Sequence, residues 1–322
     1  MDPHLLRTYV TVARLASFSE AARELGYTQS AVSQHIAALE ADLGLPLLTR
    51  RPVAPTPAGH RLLEHAGALL LRLDAARADL GRFAAAPRTT LTVAASPLAL
   101  HPRTLAALPA TGVTLRGLPR EQVPEAVATG EADAGLVDGI AAPSDPLRLP
   151  DVAPLASTGV AEEPLAVVLP ASHPLAGRTG LRLDDLVDAR WLDAPAAGVP
   201  LDQLRAVHAG PAGRGFRTAL RYEGTDTRTL AALSAAGHGL ALLPLPVAAG
   251  VPGATAVPLV APRLVHRTEL LLPGNGRTEP TGNARPGRTE PGGNGEPAGT
   301  GESAGNGEPA GPAAEFARRL QS

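Results

Sequence analysis

Between Leu25 and Gln29 the chain has only Gly26, Tyr27 and Thr28 in which to end one helix and begin another. Gly26 can stop a helix in the left-handed backbone region that glycine reaches freely. Thr28 can offer its side-chain oxygen to the first turn of the next helix. So short a joint makes two helices cross, which is the geometry of a helix-turn-helix. On the second helix Ala31, Val32, Ile36 and Leu39 fall on one side. Gln29, Ser30, Ser33, Gln34 and Ala37 take the other, with Thr28 and His35 at its ends. A face of small polar side chains lets a helix backbone enter a major groove closely. There Gln pairs with adenine and Ser with base edges or phosphate.

The flanking residues fit this geometry. Asp2 and Pro3 form a cap and a first-turn proline, and Leu5, Leu6, Tyr9, Val12 and Ala16 recur at helical spacing. Ser19 is placed to cap a helix over Glu20 to Leu25, whose Ala21 and Ala22 permit close packing. Beyond Gly44, Leu45-Pro46-Leu47-Leu48 and Thr49 to Pro55 read as a strand-turn-strand wing. Arg50 and Arg51 stand in it with no acid nearby in sequence, suited to phosphate or the minor groove. With a net charge of −2, any nucleic-acid affinity must come from such a local patch. A three-helix bundle with a merely solvated face is the alternative; the short turn, the caps and the basic wing together weigh against it.

Composition excludes much chemistry. There is no Cys, which removes thiolate catalysis, disulfides and zinc–thiolate sites, and all 29 basic residues are Arg, which removes lysine Schiff bases. No Gly-x-Ser-x-Gly elbow occurs, and His60 and His65 are spaced wrongly for one metal on one helix face. The expectation is a protein that is not an enzyme and that needs no cofactor or metal. The chain starts directly in a helix with no cleavable apolar segment, and no run is long enough to span a membrane; a cytoplasmic location is expected.

From Thr56-Pro57, a second cap-plus-proline start, Leu62, Ala66, Leu69, Leu73, Ala76, Leu80 and Phe83 recur in steps of four and three. This is a heptad seam, which one helix cannot hide and a second copy can. A two-fold dimer of DNA-binding heads then calls for double-stranded DNA with a partly palindromic site.

After Ala84-Ala85-Ala86-Pro87 the pattern alternates strand and helix. The first set comprises strands at 91–95, 113–116 and 134–138 and helices at 101–108 and 122–129. The second comprises strands at 165–169, 218–222 and 240–243 and helices at 184–187, 201–207 and 227–236. Val265 to Leu272 reads as a strand returning to the first set. Two lobes crossed twice make an α/β bilobal domain with a ligand cleft. Ligands of open α/β sheets sit beyond the carboxyl ends of strands, near helix N-termini. That places Ser96, Arg120, Thr225 and Thr227 as effector contacts and favours a small anion, although Asp226 beside Thr227 opposes one. Each is equally a helix cap with no ligand.

Phe18-Ser19-x-Ala21-Ala22, Thr28-Gln29-Ser30-Ala31-Val32-Ser33, Ile36-x-x-Leu39-Glu40, Leu43-Gly44-x-Pro46-Leu47 and Thr56-Pro57-Ala58-Gly59 resemble the winged helix-turn-helix of the LysR-type transcriptional regulators. Gly130 to Val137, His173-Pro174-Leu175-Ala176 and Ala235 to Pro244 resemble that family's regulatory domain in order, so the likeness covers about residues 1–272 and the last helix. It implies a DNA-binding domain over 1–58, a dimerisation helix over 59–86 and a periplasmic-binding-protein-like effector domain over 87–272. It also implies an operator-binding regulator that forms dimers and tetramers and answers to a small-molecule effector. The first lobe is several residues short between Leu100 and Val113, which leaves open a regulator that has lost its ligand. A solute-binding protein would not carry the winged head. Residues 273–312, rich in Gly, Pro, Asn and Glu and internally repeated, are expected to be a disordered insertion before a terminal helix at 313–320; a calcium-binding repeat would need aspartate, which this segment lacks.

Overall fold

Asp2, Ser17 and Thr28 open the first three helices: α1 (Pro3–Leu15), α2 (Phe18–Leu25) and α3 (Gln29–Leu43). In the computed structural model, which describes residues 1–84, 89–152, 154–186, 188–207, 215–274 and 311–322, each cap accepts a first-turn N–H, from His4 at 2.8 Å, Glu20 at 3.2 Å and Ala31 at 3.2 Å. Ser17, not Ser19, is the cap of α2. Gly26 and Gly44 close α2 and α3 at φ of 71° and 69°. Ala16 also takes a positive φ, ends α1 and is exposed, so it is no part of the apolar face assigned to it. Leu6, Tyr9, Val12, Ala21, Ala22, Val32, Ile36 and Leu39 form one buried core with Leu47, Leu48 and Ala66.

The wing is β1 (Leu48–Arg50) paired antiparallel with β2 (Val53–Pro55), Leu48 opposite Pro55 and Arg50 opposite Val53. Its prolines stand in the turn and at a strand end, where no ladder N–H is missed. Thr56 then caps α4 (Pro57–Ala84), its hydroxyl accepting the Gly59 N–H at 3.1 Å. Gly59 cannot be replaced cheaply: a Cβ there would lie 2.2 Å from the Leu47 carbonyl oxygen and 2.5 Å from the Tyr9 hydroxyl. That contact seats α4 on the head. Burial pushes the Tyr9 phenol up to about 12, assisted by the Glu40 carboxylate. The chain divides into two compact units, one built on Met1–Ala85 and the other holding most of Ala86–Ser322.

In chain order the second unit comprises β3 (Leu91–Ala95), α5 (Pro102–Ala106), β4 (Val113–Gly117), α6 (Gln122–Ala128), β5 (Ala134–Ala141), β6 (Leu155–Pro170) and β7 (Leu181–Arg182). It continues through β8 (Arg190–Asp193), α7 (Leu201–Val207), β9 (Arg217–Arg221), α8 (Thr227–Ala235), β10 (Ala241–Pro244), α9 (Leu245–Ala248), β11 (Ala254–Ala261), β12 (Val265–Pro273) and α10 (Pro312–Gln321). The strand order is β4-β3-β5-β12-β6-β11-β7, with β10 also on β6, and β8-β9 form a small parallel sheet. The sheet is mixed rather than purely parallel. β3, β4 and β5 run parallel, as do β11 and β7; β12 is antiparallel to β5 and β6, as are β10 and β11 to β6.

Strand β6 is the hinge of the architecture. Its first part, Leu155 to Pro164, pairs with β12 in the first lobe, and Leu165 to Pro170 pairs with β10 and β11 in the second. The spacing predicts only 165–169, because the first part carries Ser157, Thr158, Glu162 and Glu163 in place of an apolar run. The helix expected over 101–108 is confined to α5, the one at 184–187 is a single 3-10 turn over Leu183–Leu186, and β7, α9 and β11 have no counterpart in the periodicity. Trp191, Leu165, Val167, Leu169, Leu204 and Phe216 pack the second lobe. Phe316, Ala317 and Leu320 of α10 share the first-lobe core with Leu91, Val93, Leu136 and Leu270. At the edges of the expected insertion, Pro273 completes β12 and Pro312 starts α10; residues 275–310 lie outside the described residues.

Candidate nucleic-acid interface and effector cleft

Thr28, Gln29, Ser30 and Gln34 are exposed on α3 and Ser33 is half-buried, while Val32, Ile36 and Leu39 fix the opposite side in the core. The Gln29 side-chain oxygen accepts the Ser19 hydroxyl at 3.2 Å, which orients the amide. The Thr28 and Ser30 hydroxyls lie 2.9 Å apart. His35 departs from this set. Its ring is half-buried, with Nδ1 3.1 Å from the Thr8 hydroxyl and the Tyr27 ring edge-on at 5.2 Å. It is a packing residue between α1 and α3 rather than a member of the exposed face.

The two wing arginines also differ. Arg50 is not remote from acid once folded: its Nη2 lies 3.8 Å from Glu40 Oε2, and its guanidinium sits 5.1 Å over the Phe18 ring. Glu40 is itself committed through Oε1 to the Leu47 and Leu48 N–H groups, at 2.8 and 3.2 Å. Arg50 is thereby held in place beside α3, whereas Arg51 is exposed with no ion pair among the described residues.

The heptad stripe of α4 is divided. Leu62 and Ala66 pack into the head core. Leu69 and Leu80 are 45% and 70% exposed, Ala76 is exposed and Leu73 half-buried. Phe83 belongs to the helix, but its side chain lies outside the described residues.

In the second unit a narrow cleft separates the lobes, lined by Ser96, Leu98, Arg120 and Asp138 from the first and by Pro195, Ala196 and Gly198 from the second. Its free space is about 170 Å³, mouth included, and nowhere admits a water-sized sphere. Leu98 closes it, packing into the second-lobe cluster of Ala194, Ala197, Leu230 and Leu243. Ser96 is buried, its hydroxyl accepting the Asp138 N–H at 3.0 Å. Arg120 Nη2 donates to Asp138 Oδ2 at 2.6 Å, while Arg120 Nε and Nη1 are buried without an acceptor among the described residues. Burial alone would raise the Asp138 carboxyl; the Arg120 guanidinium, then His266, hold it instead well below the usual carboxylate range.

Neither expected anion-binding helix terminus survives. After Ser96 comes Pro97, which has no N–H, and a 3-10 turn of three residues. At α8 the Asp226 carboxylate caps the helix, accepting the Arg228 and Thr229 N–H groups at 3.2 and 3.0 Å. Thr227 does reach the cleft wall, its hydroxyl donating to the Ala197 carbonyl at 2.9 Å, whereas Thr225 is exposed and away from the lining. Sequence reasoning missed Asp138 as the partner of Arg120 and missed the Pro195–Gly198 wall. A lone Asp ending the apolar run Ala134 to Val137 was the available signal for the first.

A capped helix-turn-helix with a basic wing, followed by a long helix and a two-lobed domain with a polar cleft, defines a ligand-responsive DNA-binding regulator. Residues 3–60 match the bacterial regulatory helix-turn-helix protein, lysR family, and residues 84–281 match the LysR substrate binding domain. The chain belongs to the LysR family of transcriptional regulators. It is 30% identical over 254 residues to the regulator BenM of Acinetobacter baylyi, covering 76% of this chain and 80% of that one. It is likewise 30% identical over 256 residues to BudR of Raoultella terrigena, covering 76% and 84%. Among solved structures, CbnR, a LysR family transcriptional regulator, aligns at 24% identity over 99% of this chain and 100% of that one, with a TM-score of 0.48.

Proposed function

We propose that Gln29, Ser33 and Gln34 read base edges in a major groove, with Thr28 and Ser30 at the phosphate margin and Arg50 and Arg51 on the backbone beside them. The observation that carries this is the exposed polar face of α3 beside the basic wing, with Val32, Ile36 and Leu39 of the opposite side held in the core. The test is selection of bound sequences from a randomised duplex pool. Gln29→Ala is expected to cost roughly 1–3 kcal/mol at one base position and relax the preference there. Arg51→Ala is expected to weaken all sequences about equally and lower the salt slope by about one unit. Equal weakening of specific and random DNA by Gln29→Ala would count against base reading by α3.

The exposed stretch of α4 around Leu69, Leu73, Ala76 and Leu80 supports pairing of two copies and therefore a partly palindromic site. Because Leu69 and Leu80 are exposed in a single chain, Leu69→Asp with Leu80→Asp leaves that chain's own packing intact and is expected to give monomers by light scattering. An unchanged mass would remove this pairing. The effector is a small molecule presenting an acceptor, which supports an anion, to Arg120 Nε and Nη1; Leu98 must withdraw to admit it. Action in the cytoplasm, without catalysis, goes with this reading. The narrowness of the cleft favours, as the second reading, a family member that works without a ligand.

A further inference from the structure

Beneath the cleft, β5, β12 and β6 carry Asp138, His266 and Glu163 on one face of the sheet, His266 being directly opposite Glu163 in the ladder. His266 and Asp138 are almost fully buried and Glu163 nearly so, at 1%, 2% and 18% exposure. His266 Nε2 lies 3.1 Å from Asp138 Oδ2, the oxygen that also receives Arg120. With the Nε2–H donating there, Nδ1 of a neutral ring is an acceptor. It faces Glu163 Oε2 across 3.9 Å, and neither atom has a hydrogen-bond partner among the described residues. Two buried acceptors thus point at each other.

The charges agree with that geometry. Asp138 and Glu163 contribute two negative charges and Arg120 one positive, so with neutral rings the cluster is one proton short of balance, which is costly in a buried place. The other titratable neighbour, His101 at the start of α5, does not supply the proton: burial lowers its affinity for one, and Arg103 and His266 add to that against the pull of Glu163. Its Nε2 is likewise without a partner among the described residues.

We propose that His266 is a buried proton-binding site that carries both ring protons, its Nδ1–H facing Glu163 and its Nε2–H on Asp138. A cationic His266 shares the Asp138 carboxylate with Arg120 and so loosens its hold on a guanidinium that lines the cleft. Proton uptake and acceptance of a ligand acceptor by Arg120 then favour each other, as linkage requires. The coupling to Arg120 rests on the effector reading, whereas the protonation of His266 is measured without ligand or DNA.

The experiment is ¹⁵N NMR of the full chain labelled in histidine, at pH 7, where a free imidazole is mostly neutral. The His266 ring is assigned by its loss in His266→Gln, or by ring-to-backbone correlation in the wild type should that variant fail to fold. The expected result is a ring protonated on both nitrogens that reverts to the neutral Nε2–H tautomer in Glu163→Gln. A neutral ring in the wild type overturns the proposal, and so does a cationic ring that persists in Glu163→Gln.

Discussion

Asp138→Ala is expected to destabilise the second unit by about 3–5 kcal/mol, because it leaves the Arg120 guanidinium buried without its carboxylate and strips His266 of the same partner. Arg120 and Asp138 side chains are 11% and 2% exposed, so water cannot take over the lost contact without opening the fold. Denaturant unfolding followed at Trp191 gives the measurement. It is the only tryptophan, is fully buried, and donates its indole N–H to the Leu186 carbonyl at 3.1 Å. The continuous strand β6 links that reporter lobe to the lobe that holds Asp138. The acid limb carries the same information. The folded-state affinity of Asp138 for a proton is depressed, so its contribution is present above the unfolded value of about pH 4 and is lost as pH falls through the folded value. Asp138→Asn should therefore flatten the loss of stability below about pH 4. A wild-type midpoint in Asp138→Ala would show that the network holds nothing.

Phe316→Ala should cost about 3–5 kcal/mol through the cavity it leaves. Phe316 is 0% exposed and is the only aromatic residue of α10, packed with Leu91, Val93, Leu136 and Leu270, residues more than forty positions away in sequence at the least. Because it removes no charge, its effect should persist unchanged below about pH 4, where the contribution of Asp138 fades. Limited proteolysis should also cut near Pro312 in the variant before any other site in the first lobe. Unaltered stability together with an uncut α10 would mean that the terminal helix adds nothing to that lobe.

The winged head was legible because its code is local. Caps at Asp2 and Thr28, stops at Gly26 and Gly44, and the Val32–Ile36–Leu39 stripe all act within a turn or two of their own position. Its core is assembled from neighbours in sequence, so periodicity and burial agree. Even there, Ser17 and Ser19 look alike in sequence, since either serine can offer an oxygen to a first turn; the backbone at Ser17 is extended, with φ −153° and ψ 121°, and makes it the cap. The bilobal domain was legible in its apolar strands. It was not in β7, β11 or the polar first part of β6, which are strands only because neighbouring strands supply their hydrogen bonds.

By itself the sequence determined which segments are helices of a DNA-reading head, that a long apolar stripe follows, and that an α/β effector domain completes the family pattern. Tertiary structure alone decided which end of that stripe is consumed by the head, that His35 turns inward and that Arg50 meets Glu40. It alone decided that Leu98 shuts the cleft and that one carboxylate serves Arg120, 18 positions away, and His266, 128 away. The reason is the range of the interactions. A cap or a stripe is specified by a backbone a few residues long, whereas a buried charge is defined by partners that only strand register and domain closure bring within reach.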